Sequence, residues 1–215
     1  MTERDRRIAG LVRPRTIKLL RHAETAAQHA GCLIGSADLP LAPEGRRKAS
    51  LLAPRIAGER PARLYCSPLR RARETAEALG EALGMTPEID PELREIDFGR
   101  WEGMTFDSVR ESDPEAVDRW ARFEPGFTFP GGESIGDFLA RVRRAAERMA
   151  GCGAAAVLAV THGGVIRATI CHFLGLPPRN YVLFDVKPAS LTRLEIHDGK
   201  GVLTGLSYPC IAGGE

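Results

Sequence analysis

Short apolar runs alternate along the chain with stretches in which apolar positions recur every three or four residues. Thr16-Ile17-Lys18-Leu19-Leu20 and Leu64-Tyr65-Cys66 read as strands. Ala154 to Val160 is continuous, small and apolar, as a strand covered on both faces requires. Tyr181 to Val186 and Leu191 to Ile196 read as two more, divided by Lys187-Pro188. Helical patterns lie between them. Glu44 to Ala57 has Pro43 near its first turn, and Pro68 to Leu83 runs to Gly84. A third begins at Ser134, a favourable N-cap, with Asp137 three residues on. Its apolar face comprises Ile135, Phe138, Leu139, Val142, Ala146 and Met149, and Gly151 ends it. Gly163 to Leu174 is stopped by Gly175 and Pro177. Strands alternating with helices predict an α/β fold, a three-layer α/β/α sandwich around a mainly parallel sheet.

In such sheets ligands bind beyond the carboxyl ends of the strands. The first strand runs directly into Arg21-His22-Ala23-Glu24-Thr25, and the Ala154–Val160 strand into Thr161-His162-Gly163-Gly164. The short second strand runs into Ser67-Pro68-Leu69-Arg70-Arg71-Ala72, which places an arginine pair in a first helical turn. Arginine there faces the positive end of the helix dipole, so it calls for an anion or for solvent. Two histidines, two or three arginines and a helix N-terminus at one sheet edge describe an anion site. A phosphoryl group fits it. Guanidinium forks orient its oxygens, a neutral imidazole can attack phosphorus, and a carboxylic acid can protonate the leaving oxygen.

Composition narrows the classes. The chain has 215 residues, 43% hydrophobic and 27% charged, which suits one globular domain. A net charge of +2 is too balanced for binding nucleic acid through bulk charge, and no apolar run reaches the roughly 20 residues of a membrane span. Residues 1–15 carry five arginines with no apolar run behind them, so they read as a solvated basic tail ahead of a single domain at 16–215, not as a secretory signal. The five cysteines are widely spaced with no CxxC pair, which argues against a zinc site and a disulfide framework and for a reducing, cytoplasmic setting. No metal and no cofactor is expected.

These segments together resemble the histidine phosphatase superfamily, also called phosphoglycerate mutase-like. Arg21-His22-Ala23-Glu24-Thr25 resembles its Arg-His-Gly-Glu-Thr signature, and Ser67 to Ala72 with Thr75-Ala76 its second arginine motif. Leu93-Arg94-Glu95-Ile96-Asp97-Phe98-Gly99-Arg100-Trp101-Glu102-Gly103 resembles the segment that bears the acid, and Thr161-His162-Gly163-Gly164 the second-histidine motif. The resemblance implies that His22 is the nucleophile that becomes phosphorylated. It makes Arg21, Arg71 and His162 the phosphate pocket, with Gln28 and Gly163 beside them, and Glu95 the general acid and then base. Spacing alone leaves Glu95 open against Asp97 and Glu102, and Arg71 against Arg70. Arg70 and Arg73 read as a solvated helix face.

Ala23 stands where the family has Gly, and Gln28 where it usually has Asn. Cys32 and Ile34 replace the common Arg and Gln, which predicts either a substrate less polar than a sugar phosphate or phosphoglycerate, or arginines supplied from elsewhere. Seven of the thirteen aromatic residues fall between Phe98 and Phe129, in and just before a cap segment of about 103–133. They read either as a small satellite core or as an apolar wall for a substrate with a flat ring. Phe129-Pro130-Gly131-Gly132-Glu133-Ser134 before a long helix resembles the alpha-ribazole phosphatase and broad-specificity branches. The expected activity is a metal-independent phosphomonoester hydrolase acting on a small molecule, with alpha-ribazole 5′-phosphate of cobalamin biosynthesis as the suggested substrate. The alternatives are a cofactor-dependent phosphoglycerate mutase and an inactive phosphate-binding module. Monomer and homodimer are both open.

Overall fold

A computed structural model describes residues 14–26, 31–58 and 61–209. Six strands form one sheet: β1 (Arg15–Arg21), β2 (Arg63–Cys66), β3 (Glu88–Ile89), β4 (Ala156–Thr161), β5 (Ser190–His197) and β6 (Lys200–Pro209). Their order is β3-β2-β4-β1-β5-β6, parallel from β3 to β1, with β5 and β6 antiparallel at the far side. Two helices, α1 (Pro43–Ala57) and α2 (Arg70–Leu83), pack on one face. Next in the chain come two short cap helices, α3 (Phe106–Ser112) and α4 (Pro114–Ala121). Two long ones, α5 (Ile135–Gly151) and α6 (Gly163–Leu174), cover the other face. The fold is the expected three-layer α/β/α sandwich.

The period of two along each strand divides the core. Ile17 and Leu19 of β1, Val157 and Ala159 of β4, and Leu194 and Ile196 of β5 pack with α5 and α6. Leu20, Leu158, Val160 and Leu191 point the other way, against α1 and α2. Nearly all these side chains are fully buried, and each Val, Leu and Ile among them contributes roughly 1.5–3 kcal/mol relative to exposure. Ser134 caps α5 by accepting from Asp137 N–H at 3.0 Å, as its sequence predicts.

One expectation is corrected. Tyr181 to Val186 is not a strand. Pro177 and Pro178 open a 3-10 turn over Pro178–Leu183, and β5 already occupies the edge of β1. Val182 and Leu183 are left exposed, at 64% and 70%. Strand β6, which the apolar pattern does not reveal, closes the sheet instead; its Gly201, Thr204, Gly205 and Ser207 dilute the signal. Most of the N-terminal tail, residues 1–13, lies outside the described residues. Among those described, no helix is long and apolar enough to cross a membrane, and no disulfide joins Cys32, Cys66, Cys152 and Cys171.

Candidate active site

Register builds the site. Strands β1 and β4 are parallel neighbours with Arg21 opposite Thr161, so the next residues, His22 and His162, emerge side by side. Their ring centroids are 5.0 Å apart. Cys66 of β2 lies opposite Val160, which brings Ser67 to the same edge. Both histidines and Ser67 are buried.

A hydrogen bond fixes the tautomer of His22. Nδ1 of His22 lies 2.7 Å from the carbonyl of Ala23, so it carries the proton and donates. Nε2 of His22 then has a lone pair, and it accepts from Arg71 Nε–H at 3.2 Å. Ser67 Oγ accepts from Leu69 N–H at 3.3 Å and lies 2.7 Å from His162 Nε2, where a hydroxyl can serve either tautomer of the ring. Within the described residues His162 Nδ1 is buried without a partner, and so is Nε of Arg21. A buried guanidinium N–H and a buried ring nitrogen, both unpartnered beside His22, suit anionic oxygens, the ring nitrogen when it carries the proton.

Arg71 is almost wholly buried because the chain supplies acceptors for it. Its Nη1 donates to Ala37 O and its Nη2 to Gly35 O, both at 2.7 Å. Thr75, one turn on, accepts from Ala23 N–H at 3.1 Å and ties the first loop to α2. Arg21 donates through Nη1 to Val186 O at 2.6 Å. Burial holds both guanidiniums below their ordinary pKa, partly offset by Glu95. Arg70 and Arg73 lie on the exposed face of α2, as expected.

Glu95 is buried, at 8% exposure. Its Oε2 accepts from Gly164 N–H at 2.9 Å and its Oε1 from Ile96 N–H at 3.1 Å. A Cβ on Gly164 would sit 2.4 Å from Oε1, so glycine there lets the carboxylate reach the start of α6. The other two acids of the segment are occupied elsewhere. Glu102 accepts from Gly35 N–H and Ser36 N–H, and Asp97 from Gly99 N–H and the Ser36 hydroxyl. Geometry thus brings Glu95, not Asp97 or Glu102, to the strand-end histidines.

Sequence reasoning missed Arg141 and Glu133, a buried bidentate pair with contacts of 2.6 and 2.7 Å. Arg141 also donates to the carbonyls of Glu92 and Glu95 and so fixes the backbone that carries the acid. The available signal was a charge on an apolar helix face, three residues after Phe138 and one before Val142. Gln28 lies outside the described residues.

A cavity of about 350 Å³ opens beside this edge, lined by Arg21, Glu95, Gly163 and Gly164 at one end. Cys32, Leu33, Ile34, Phe98, Trp120, Phe123 and Tyr181 make an apolar wall, and Arg167 is a further lining cation. The cap aromatics divide between the main core and the cavity wall. Trp101, Phe127 and Phe129 are core, with Trp101 and Phe129 edge to face at 5.5 Å, whereas Phe98, Trp120 and Phe123 reach the cavity. Wider clefts of about 520 Å³ along Glu147 and His172 and about 580 Å³ along Arg63 and Arg148 are not lined by Arg21, Glu95, Gly163 or Gly164.

The family model of the histidine phosphatase superfamily (branch 1) matches residues 17–208. The chain belongs to the histidine phosphatase superfamily. Among its relatives, phosphoserine phosphatase 1 of Hydrogenobacter thermophilus is 31% identical over 196 residues, covering 91% of this chain and 93% of that protein. Glucosyl-3-phosphoglycerate phosphatase of Mycolicibacterium vanbaalenii is 36% identical over 198 residues, 86% of each chain. The solved alpha-ribazole phosphatase of Shigella flexneri superposes with a TM-score of 0.81 at 27% identity, covering 93% of this chain and 99% of that one. For a histidine phosphatase, neutrality of the paired imidazoles matters. Burial first, then the charge of Arg71, holds both His22 and His162 well below the usual histidine pKa.

That displacement has a stability consequence. Unfolded, both histidines take up protons below about pH 6.5; folded, they resist protonation until well below it. The unfolded state then binds more protons, so stability falls as pH drops from 7 towards 5. The loss is up to about 1.4 kcal/mol per pH unit for each histidine. Thermal melts at constant ionic strength should show Tm falling across this window, and His22→Ala should flatten the slope. A Tm independent of pH between 7 and 5 would contradict the assignment of two buried neutral imidazoles.

Proposed function

We propose that the chain is a metal-independent phosphomonoester hydrolase that works through a phosphohistidine on His22. The observation that carries this reading is the tautomer of His22: Nδ1–H is spent on Ala23 O, and Nε2 keeps its lone pair beside the Arg71 guanidinium. In the first step Nε2 attacks phosphorus and the ester P–O bond breaks. Arg21, Arg71, His162 Nδ1–H and the N-terminus of α6 at Gly163 hold the phosphoryl oxygens. Glu95, in its acid form, gives its proton to the departing oxygen. In the second step a water attacks phosphorus, Glu95 takes its proton, the P–N bond breaks and His22 regains its lone pair. Phosphate charge is met by guanidiniums, so no cation is required for it.

The apolar wall supports a substrate whose alcohol half carries a flat ring, and alpha-ribazole 5′-phosphate is one such ester. The cap argues against a mutase acting on phosphoglycerates. Arg119 and Arg122 are half-exposed and both pair with Glu124, the latter at 2.7 Å, and the cap residues on the cavity wall are aromatic. A panel of phosphomonoesters, including alpha-ribazole 5′-phosphate and phosphoserine, should release phosphate in the presence of chelator. A coupled enolase assay with 3-phosphoglycerate and 2,3-bisphosphoglycerate should remain silent. Enolase-coupled turnover exceeding phosphate release would reverse the order of the two readings.

A further inference from the structure

Helix α6 brings more than its N-terminus to the cavity. Gly163, Gly164 and Arg167 all line it, and the spacing of three and four residues puts them on one helix face. Arg167 is half-buried, and its Nε donates to Phe184 O at 2.7 Å. Among the described residues this is the one hydrogen bond of its guanidinium, and no carboxylate pairs with it. Asp185, close enough to feel its charge, is exposed and paired with Lys187 at 2.7 Å. Elsewhere the buried guanidinium Arg141 has a carboxylate partner and Arg71 is tied by both Nη atoms. Arg167 is anchored at Nε, its Nη pair is uncommitted, and it shares a wall with Leu33, Ile34, Trp120 and Tyr181.

From this we infer that Arg167 forms a second anion subsite, which binds a carboxylate on the alcohol half of the substrate while the phosphate lies at His22. The inference rests on the phosphatase reading of the same cavity and adds a charge requirement to it. Two Nη donors suit the two oxygens of a carboxylate, and the surrounding apolar wall strengthens the pair by excluding water. Glu95, the one acid lining the cavity, is neutral when it carries the proton for the leaving group. Ring-bearing esters should therefore divide by charge, with anionic ones faster than neutral ones such as alpha-ribazole 5′-phosphate.

The test compares carboxyphenyl phosphates, substituted at the 2-, 3- and 4-positions, with the matching carbamoylphenyl phosphates, which have the same shape without the charge. The parent enzyme should favour the carboxylate in at least one position, by about ten- to a hundredfold in kcat/KM. Arg167→Gln should bring that ratio close to one, and Arg167→Lys should keep part of it. Should Arg167→Gln fail to fold, the parent ratio and its decline with added salt still decide. A parent ratio near one at all three positions, or a ratio unchanged in Arg167→Gln, would overturn the subsite while leaving the phosphatase reading intact. Absence of phosphate release from every ester would sink the phosphatase reading itself, and this inference with it.

Discussion

Replacing His22 with alanine should lower kcat/KM for any phosphomonoester by about 10⁴-fold or more, because the covalent step loses its only nucleophile. No neighbour can substitute. His162 has its Nε2 engaged by the Ser67 hydroxyl at 2.7 Å. Cys66 ends the adjacent strand, but burial pushes its thiol up to about 12, far from a thiolate at neutral pH. The fold should persist. The lost imidazole leaves Arg71 with its two bonds to Ala37 and Gly35, so a cost of about 1 kcal/mol and a Tm shift of about 2–4 °C are expected. Rapid acid quench is too harsh for a phosphoramidate, so trapping should be done in base. The parent should then yield an acid-labile, base-stable phosphoenzyme that maps to His22, and the variant none. Label found on a carboxylate or a serine would mean that the assignment is wrong.

The strand ends made this site legible in the sequence. His22 and His162 each follow a buried strand, and because those strands are in-register neighbours, similar sequence contexts become spatial proximity. An arginine pair at a helix start was legible as needing an anion, but only the family resemblance chose Arg71 over Arg70, and in the fold Arg71 is the buried one. What pattern could not supply was pairing over distance. Spacing alone did not separate Glu95 from Asp97 and Glu102; the family resemblance chose it, and the fold supplies the physical reason, since Gly35, Ser36 and Gly99 occupy the other two. The Arg141–Glu133 pair joins the residue before the N-cap of α5 to its second turn, and its purpose, holding the carbonyl of Glu95, lies 46 residues away along the chain. Tyr181 to Val186 misled because an apolar run beside a cavity has the composition of a strand. Its Tyr181 stacks on Phe123 at 4.1 Å and walls the pocket instead. Arg167 was visible as a position four residues after Gly163, but nothing in the sequence places Phe184 O to anchor it.

Glu95→Gln should impair hydrolysis in a way that depends on the leaving group. A glutamine fits the space and can still accept from Gly164 N–H or Ile96 N–H, so positioning survives while proton transfer is lost. General acid–base catalysis is typically worth roughly 10²–10⁴-fold. An alkyl phosphate expels a basic alkoxide and needs the proton, so its phosphorylation step should lose that full factor. A nitrophenyl phosphate expels a weakly basic phenolate and should lose far less in that step. Dephosphorylation of His22 is common to both substrates and also lacks its base. On the nitrophenyl ester the variant should therefore give a burst of one nitrophenolate per site, followed by slow turnover with phospho-His22 accumulating. Added small nucleophiles such as hydroxylamine should speed the slow phase, since they need less help than water in losing a proton. An equal loss on alkyl and nitrophenyl esters, without a burst, would make Glu95 a structural residue whose bonds to Gly164 and Ile96 merely set the entrance of α6. The acid would then have to be sought among the residues that the loop at Gly35 now engages, Asp97 and Glu102.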